Sequence, residues 1–418
     1  MTVRRIQLSF GLIAFLYWLG TGLPMAILAL FYLARGIDLF GIGVCFASYA
    51  VTVAVFEIPT GGLADVVGRR RVTIMACLCM AAGTLLVLFS YSLVLFMAGG
   101  VLYGWSRALL SGSLEAWFVD ACKAVDPQSD IQRGLALANT GTLLGLGLGL
   151  LTGGFLPRLF SHLPPESEAV ISPLSTTMIA SLGVQALVFF TVLGLMKEPP
   201  RSGQRSVMKA MGDSVRFTLG SREVMLFLVS AVCVGVLMAV VEAFWQPFFA
   251  ALLGGFEGKT HRFGILFTLT FAASAAANGL AVVLSKWLNK QYALICIIAN
   301  GVQLAGLLLL ARQSAFLAAA AFFLLLYGGN GLLYSPAAAY LNDRIPSDKR
   351  ATMISIASLA AACGGAIAYL GGGAMAEHFS ITITWKAASG FLPISMLVFF
   401  ILWRRQVRQT REPELRAV

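Results

Sequence analysis

Gly61-Gly-Leu-Ala-Asp65-Val-Val-Gly68-Arg69-Arg70-Arg71 joins two long apolar runs, at residues 40–64 and 72–90. Runs of about 20 apolar residues are long enough to cross a hydrocarbon core about 30 Å thick. The small residues before Asp65 allow close helix approach, and Gly68 can reverse the chain. The arginines favour the cytoplasmic side of a membrane. The segment therefore predicts a tight turn between two transmembrane helices.

The rest of the chain continues this pattern. Of 418 residues, 58% are hydrophobic and 12% are charged, and the mean hydropathy is +0.84. Soluble domains carry about 25% charged residues. Because lipid offers no hydrogen-bond partner to the backbone, the apolar runs must be helices. We expect an all-α integral membrane protein with twelve transmembrane spans, at residues 7–33, 40–64, 72–90, 93–120, 132–157, 173–196, 225–252, 263–287, 290–311, 314–341, 352–375 and 384–403.

The distribution of basic residues predicts the orientation. If both termini are cytoplasmic, the loops on that side carry 23 of the 30 Lys and Arg residues, the outer side carries six, and Arg107 lies within a span. This asymmetry follows the positive-inside rule. The net charge of +11 is therefore explained by membrane orientation, and we expect no nucleic-acid partner.

A long polar segment divides the spans six and six. It runs from Lys197 to Arg222 and predicts an N-terminal bundle at 1–196, a cytoplasmic linker at 197–223 and a C-terminal bundle with a cytoplasmic tail at 224–418. The two halves contain similar sequences at corresponding positions. Span four ends with Trp117-Phe-Val-Asp120, and span ten ends with Tyr340-Leu-Asn-Asp343. A parallel duplication explains this similarity. The turn after span two also has a counterpart after span eight, where Asn289 replaces Gly68 and tolerates the same left-handed conformation.

The segment at 61–71 resembles the signature loop of the major facilitator superfamily, G-x-L-a-D-r-x-G-r-r, with Val66 at a position that is often basic. The resemblance implies two pseudo-symmetric six-helix bundles that expose a midplane site to each side in turn. It also implies a monomeric transporter of small molecules in the cytoplasmic (inner) membrane, without a cofactor. Five residues would form a latch that stabilises the outward-open state, with Asp65 contacting the start of span eleven and Arg69 pairing with Asp120: Gly61, Asp65, Gly68, Arg69 and Asp120. The alternative is an ordinary charged turn that only sets topology.

Span five contains glycines that are similar to the antiporter motif of proton-coupled drug-efflux transporters, G-x-x-x-G-P-x-x-G-G. They are Gly145, Gly149, Gly153 and Gly154, and Leu150 stands at the proline position. Glycines at this spacing form a smooth helix face. The alternative function is therefore close packing alone, and we expect span eleven, with its own glycine pairs, to be the partner.

Ionisable residues within spans are candidates for proton coupling, because they must find a partner or water. Arg107 lies near the middle of span four and loosely matches the family's R-x-x-q-G motif; Glu115 follows it, and Glu57 lies in span two. Each carboxyl could exchange a proton if its surroundings alternate between a dry site and an arginine. Permanent structural ion pairs or hydrogen bonds are the alternative.

Span seven offers a further candidate site at Glu242, Trp245 and Gln246, which share one helical face. An acid beside an aromatic ring and an amide could hold a lipophilic cation. Alternatively, Glu242 couples protons without touching the substrate, or pairs within the bundle. Six further residues are cavity candidates or packing residues: Tyr17, Trp18, Tyr103, Tyr327, Asn330 and Tyr334.

Other classes of protein lack the residues they need. The sequence has no P-loop and no zinc-like ligand cluster; its seven cysteines fall almost entirely in apolar runs, and its three histidines fall in predicted outer loops. We therefore expect neither an enzyme nor a metal site. The predicted function is proton-coupled efflux of lipophilic or amphipathic molecules, and the alternative is a proton-coupled uptake symporter for a nutrient.

Overall fold

The computed structural model describes residues 2–198, 220–345 and 350–416. In these ranges the chain is helical and has no strand, and twelve helices are long and apolar enough to cross a membrane. The prediction of an all-α protein with twelve membrane spans is confirmed. In chain order, the spans are Val3–Met25 with Leu28–Ala34, Leu39–Val67, Arg69–Phe89, Leu93–Val125, Ile131–Leu159, Ser175–Leu195, Arg222–Leu252, Thr260–Trp287, Tyr292–Leu310, Phe316–Asn342, Arg350–His378, and Ile381–Ser389 with Phe391–Arg416.

Several helix ends differ from the prediction. Span four continues to Val125, so Asp120 lies inside this helix instead of at its end. His261 lies in the first turn of span eight and His378 is the last residue of span eleven, whereas both were expected in loops. Polar residues at these ends are tolerated because helices extend past the hydrocarbon core into the headgroup region.

Span one is interrupted after Pro24, between Val3–Met25 and Leu28–Ala34. Proline has no N–H, so the carbonyl of Gly20 loses its helical partner. The Ser181 hydroxyl of span six donates a hydrogen bond of 2.6 Å to this carbonyl. The neighbouring span thus satisfies a backbone group that lipid would leave unpaired.

Two compact units make up the fold. The first comprises Met1–Arg205 with Gly254–Thr268, and the second comprises Ser206–Leu253 with Leu269–Val418. The segment around the start of span eight thus groups with the first unit. Most of the predicted linker at 197–223 lies outside the described residues, so the domain boundaries stay a prediction.

Close packing of span five against span one organises the first unit. Gly145, Gly149 and Gly153 face the backbone carbonyls of Phe15, Leu19 and Leu23, so any side chain larger than hydrogen would clash with that backbone. Small residues at every fourth position allow this approach.

The predicted packing of these glycines against span eleven is wrong. Gly154 lies instead against Gly264 at the start of span eight. In span eleven, Gly364 contacts Val232 of span seven. A glycine stripe shows that some helix approaches closely, but it does not identify that helix.

The turn after span two has the conformation expected of it. The helix ends at Val67, and Gly68 adopts a φ of +107°, which side chains rarely tolerate. Asn289, its counterpart after span eight, has a φ of 50°. The left-handed turn predicted at both positions is therefore present.

Candidate functional site

A cavity of about 400 Å³ lies within the first unit, among spans one, four and five. Each span contributes residues three or four positions apart, which lie on one helical face. The lining comprises Phe10, Ala14, Tyr17 and Trp18 of span one, Arg107, Leu110, Ser111, Leu114 and Glu115 of span four, and Leu135, Ala138, Asn139 and Thr142 of span five.

Arg107 supplies the positive charge of this cavity. Its guanidinium carbon lies 5.5 Å from the centroid of the Trp18 ring, a cation–π contact. The neighbouring Tyr17 is buried, and its hydroxyl lies 3.2 Å from the Ser106 hydroxyl. Within the described residues, Arg107 forms no ion pair with a carboxylate within 4.0 Å. Four of the predicted site residues, namely Tyr17, Trp18, Arg107 and Glu115, thus meet in one cavity.

Glu115 lies eight residues after Arg107, roughly 12 Å further along the same helix. Its side chain is exposed, and it lines the cavity together with Asn139 and Thr142. Sequence reasoning missed these two polar residues of span five. Their spacing of three residues, on the helix that carries the glycine stripe, was a signal that could have identified them.

Glu242 lies apart from this cavity, in the second unit. It is ten residues before the end of the helix Arg222–Leu252, about 15 Å along the axis. The residue has accessible surface, although Val241 and Ala243 beside it are fully buried. Buried tyrosines of two other spans interact with it. The Tyr369 hydroxyl donates a hydrogen bond to its Oε2 at 3.5 Å, and Tyr327 interacts with it electrostatically. The carboxyl therefore points towards the neighbouring spans of the second unit.

Trp245 and Gln246, which share the helical face of Glu242, are buried. Their exposed fractions are 1% and 3%, and the Trp245 ring stacks on Phe323 with centroids 5.5 Å apart. The predicted cage of Glu242, Trp245 and Gln246 around a cation therefore stays a prediction. The three residues share a helical arc, but the neighbouring spans bury two of them in the core.

The remaining cavity candidates also lie elsewhere. The Tyr103 hydroxyl donates to Thr84 at 3.3 Å, in a buried polar network with Gln185 and away from the cavity lining. Tyr334 is 74% exposed, and Asn330 is half-buried. Glu57 of span two is half-buried and does not line the cavity.

Some of the predicted latch residues meet at the end of span two. The Arg69 Nε lies 2.7 Å from Asp120 Oδ2, an ion pair between spans three and four. The Glu198 carboxylate accepts hydrogen bonds from the backbone N–H groups of Arg69 and Arg70, at 2.7 and 3.0 Å. It thereby caps the N-terminus of span three, where the helix dipole favours a negative charge. The side chains of Gly61 and Asp65 lie outside the described part, so the contact of Asp65 with span eleven stays a prediction.

The cysteines are free thiols. Five are buried, Cys79 is half-buried, and Cys363 lies on an exposed face of span eleven. Within the described residues, no three His, Cys, Asp or Glu side chains come together as metal ligands.

Twelve membrane spans and charged residues at membrane depth define a multi-pass membrane protein with the machinery of a solute transporter. The profile of the Major Facilitator Superfamily matches residues 10–260 and 259–417. The chain therefore belongs to this superfamily, and it is a transporter rather than an enzyme.

Individual relatives agree with this assignment. The chain is 21% identical over 393 residues to the MFS-type transporter YxaM of Bacillus subtilis, covering 92% of each chain. It is 22% identical over 171 residues to the MFS-type transporter MJ1560 of Methanocaldococcus jannaschii, covering 41% of this chain and 43% of that protein.

Two solved structures share the fold. The nucleoside transporter NupG superposes with a TM-score of 0.78 at 12% identity, covering 95% of this chain and 99% of that chain. A bacterial homologue of the human lysosomal transporter Spinster, in an inward-facing and unoccupied conformation, has a TM-score of 0.76 at 14% identity, covering 96% and 97%. At these identities the likeness establishes the fold alone.

Proposed function

We propose that this protein exports amphipathic small molecules in exchange for protons, with Glu242 as the proton-coupling group. The observation that carries the proposal is the position of the Glu242 carboxyl at membrane depth, beside two buried tyrosines. Ionisable residues at this depth are costly and mark ion or substrate pathways. A carboxyl that gains a proton on one side and loses it on the other can drive transport through alternating access.

Glu242 has the surroundings that such a role needs. Within the described residues, no Lys or Arg lies within 4.0 Å of its carboxyl, so no permanent ion pair prevents protonation. The Tyr369 hydroxyl, at 3.5 Å, is a long hydrogen-bond donor that leaves the other carboxylate oxygen for water. Glu115, which lines the Arg107 cavity, is the second candidate for a coupling group.

The substrate site would be the cavity among spans one, four and five. Its volume of about 400 Å³ lies in the lower part of the range for small-molecule pockets, about 300–1,000 Å³. Aromatic and aliphatic side chains line it together with charged and amide groups. This mixture suits an amphipathic solute.

The experiment is pH-gradient dissipation in everted membrane vesicles with an acidic interior, challenged with amphipathic cations, anions and neutral compounds. Dissipation by a compound in the wild type, but not in Glu242→Gln, supports proton-coupled export. Glu168→Gln, which removes an exposed carboxyl between spans five and six, is the matched control and should behave as the wild type. Equal dissipation by Glu242→Gln removes Glu242 from the mechanism.

A proton-coupled uptake symporter is the second candidate. The glycines of span five are explained by their contacts with the backbone of span one, and Leu150 is fully buried in place of the antiporter proline. This motif therefore gives no support to either direction of transport. Proton-dependent accumulation of a nutrient in intact cells would establish uptake.

We propose that the protein is a monomer in the cytoplasmic membrane. In the proposed orientation, both termini lie in the cytoplasm. The 23 basic residues on one side support this orientation. Labelling of an exposed cysteine introduced after Leu159, in the loop before span six, tests it with a reagent that does not cross the membrane.

A further inference from the structure

We infer that the cavity of the first unit binds organic monoanions, with the acidic group of the solute against Arg107 and its apolar body against Trp18. This inference rests on the proposed function, because it names the substrate class of the same transporter. It goes further by assigning the sign of the charge that the site recognises.

The first argument is the charge of Arg107. Its guanidinium stays protonated in proteins, and it lies fourteen residues, about 21 Å, from the start of the helix Leu93–Val125. A cation at this depth needs a partner. The guanidinium carbon of Arg107 lies 5.5 Å from the centroid of the Trp18 ring. Within the described residues, no carboxylate lies within 4.0 Å of the guanidinium. A solute anion would supply the missing charge.

The second argument is the presence of hydrogen-bonding groups in the cavity that Arg107 lines. Ser111 lies one turn further along span four, and Asn139 and Thr142 line the cavity from span five. The planar guanidinium can bind a carboxylate through two parallel N–H···O bonds. The Ser111 hydroxyl can donate to an oxygen lone pair that Arg107 leaves open, and the groups of span five can bind polar atoms elsewhere on the solute.

The third argument is the apolar part of the lining. Phe10, Trp18, Leu110, Leu114 and Leu135 surround the polar groups. The Trp18 ring lies beside the guanidinium, so a flat aromatic body could stack near its own acidic group. The volume of about 400 Å³ suits a one- or two-ring solute.

Glu115 orients such an anion. It lines the same cavity about 12 Å further along span four, and its carboxylate repels an acidic group at that end. The acidic group is therefore directed to Arg107. Substitutions of the two residues should therefore have opposite effects. Removing Arg107 should weaken anion binding, whereas removing the charge of Glu115 should strengthen it. A cationic substrate predicts the reverse for both.

The test measures binding to the purified full-length protein in detergent by titration calorimetry. The probes are 1-naphthoate, its uncharged amide and 1-naphthylmethylammonium, which share one ring system. We expect naphthoate to bind at least about tenfold more tightly than the amide, since a charge-assisted hydrogen bond is worth about one tenfold step or more. The Arg107→Gln variant should lose this preference, Arg107→Lys should keep part of it, and Glu115→Gln should increase it. The control is Arg133→Gln, an exposed arginine of span five outside the cavity lining, which should not change it.

Three results would overturn the inference: equal binding of naphthoate and its amide, tighter binding of the ammonium probe, or weaker naphthoate binding in Glu115→Gln. The comparison of the three probes uses the wild type, so it decides the matter even if Arg107→Gln fails to fold. An acidic lipid headgroup shares this chemistry. Titration with phosphatidylglycerol tests that source, and Arg107-dependent binding of the lipid without binding of naphthoate would also overturn the inference.

These titrations use no proton gradient, so they are independent of the role of Glu242. Naphthoate preference together with unchanged coupling in Glu242→Gln would refute the proposed coupling group and leave the anion site intact. Proton exchange that depends on Glu242, without a preference for naphthoate, would support the proposed coupling group and refute the anion site.

Discussion

Replacement of Gly149 by alanine tests the packing that positions the cavity. The added methyl group would lie 2.5 Å from the Leu19 carbonyl oxygen, and ordinary contacts begin at 3.4 Å, so spans one and five must separate by about 0.9 Å. Such a gap forfeits a quarter to a half of each contact's dispersion energy. Overpacking and lost contacts together cost about 2–4 kcal/mol, and the higher helix propensity of alanine offsets up to about 1 kcal/mol. We expect a net loss of about 1–4 kcal/mol.

The matched control lies two residues away on the same helix. A methyl group at Gly147 would have Thr268 Cγ2 at 4.0 Å as its neighbour, so Gly147→Ala should be neutral or slightly stabilising. The assay is thermal unfolding in detergent. Unfolding is monitored by a fluorogenic dye that reacts with the buried thiols as they become accessible, in a Cys363→Ser background. A lower melting temperature for Gly149→Ala but not for Gly147→Ala is expected. Equal melting temperatures for the two variants would refute the packing argument.

Four further predictions follow from other contacts. Exchanging the charges of Arg69 and Asp120 should restore part of the transport rate that either single reversal removes, because the pair lies 2.7 Å apart and is worth up to about 1 kcal/mol. The Glu198→Ala variant should melt lower by the equivalent of about 0.5–2 kcal/mol, since it uncaps span three. In the folded protein a maleimide should label Cys363 and spare Cys296, as mass spectrometry can show. If one monoanion leaves for each entering proton, two charges cross the membrane, so 100 mV, negative inside, should add about 4.6 kcal/mol to the driving force for export. Anion efflux from potential-clamped proteoliposomes with the cytoplasmic face inside should therefore be faster.

The spans were predictable because hydropathy depends on residue composition over a long window. The helix ends were less so, since Asp120 and the residues up to Val125 continue a helix beyond the apolar run. The carbonyl of Gly20, which Pro24 leaves without a helical partner, is satisfied by Ser181, a residue of another span. Local sequence gives no information about such a partner.

The candidate site was predictable only in part, for the same physical reason. The charges of Arg107 and Glu115 and the aromatic rings of Tyr17 and Trp18, all within apolar runs, identified four residues that do share a cavity. The i, i+3, i+4 pattern at Glu242 and Trp245 fixes a helical arc, but it does not say which part of that arc the neighbouring spans cover. Helix periodicity therefore predicts which residues share a helix face. Which faces contact each other is determined by the packing of the spans.

The most direct test of the account is the proton flux of the purified protein in proteoliposomes, measured with an entrapped pH dye while an outward or inward gradient of 1-naphthoate is imposed. The account predicts naphthoate-driven proton movement in the wild type and in Glu168→Gln, and none in Glu242→Gln. Proton movement of equal rate in Glu242→Gln, or naphthoate flux without any proton movement in the wild type, would contradict it.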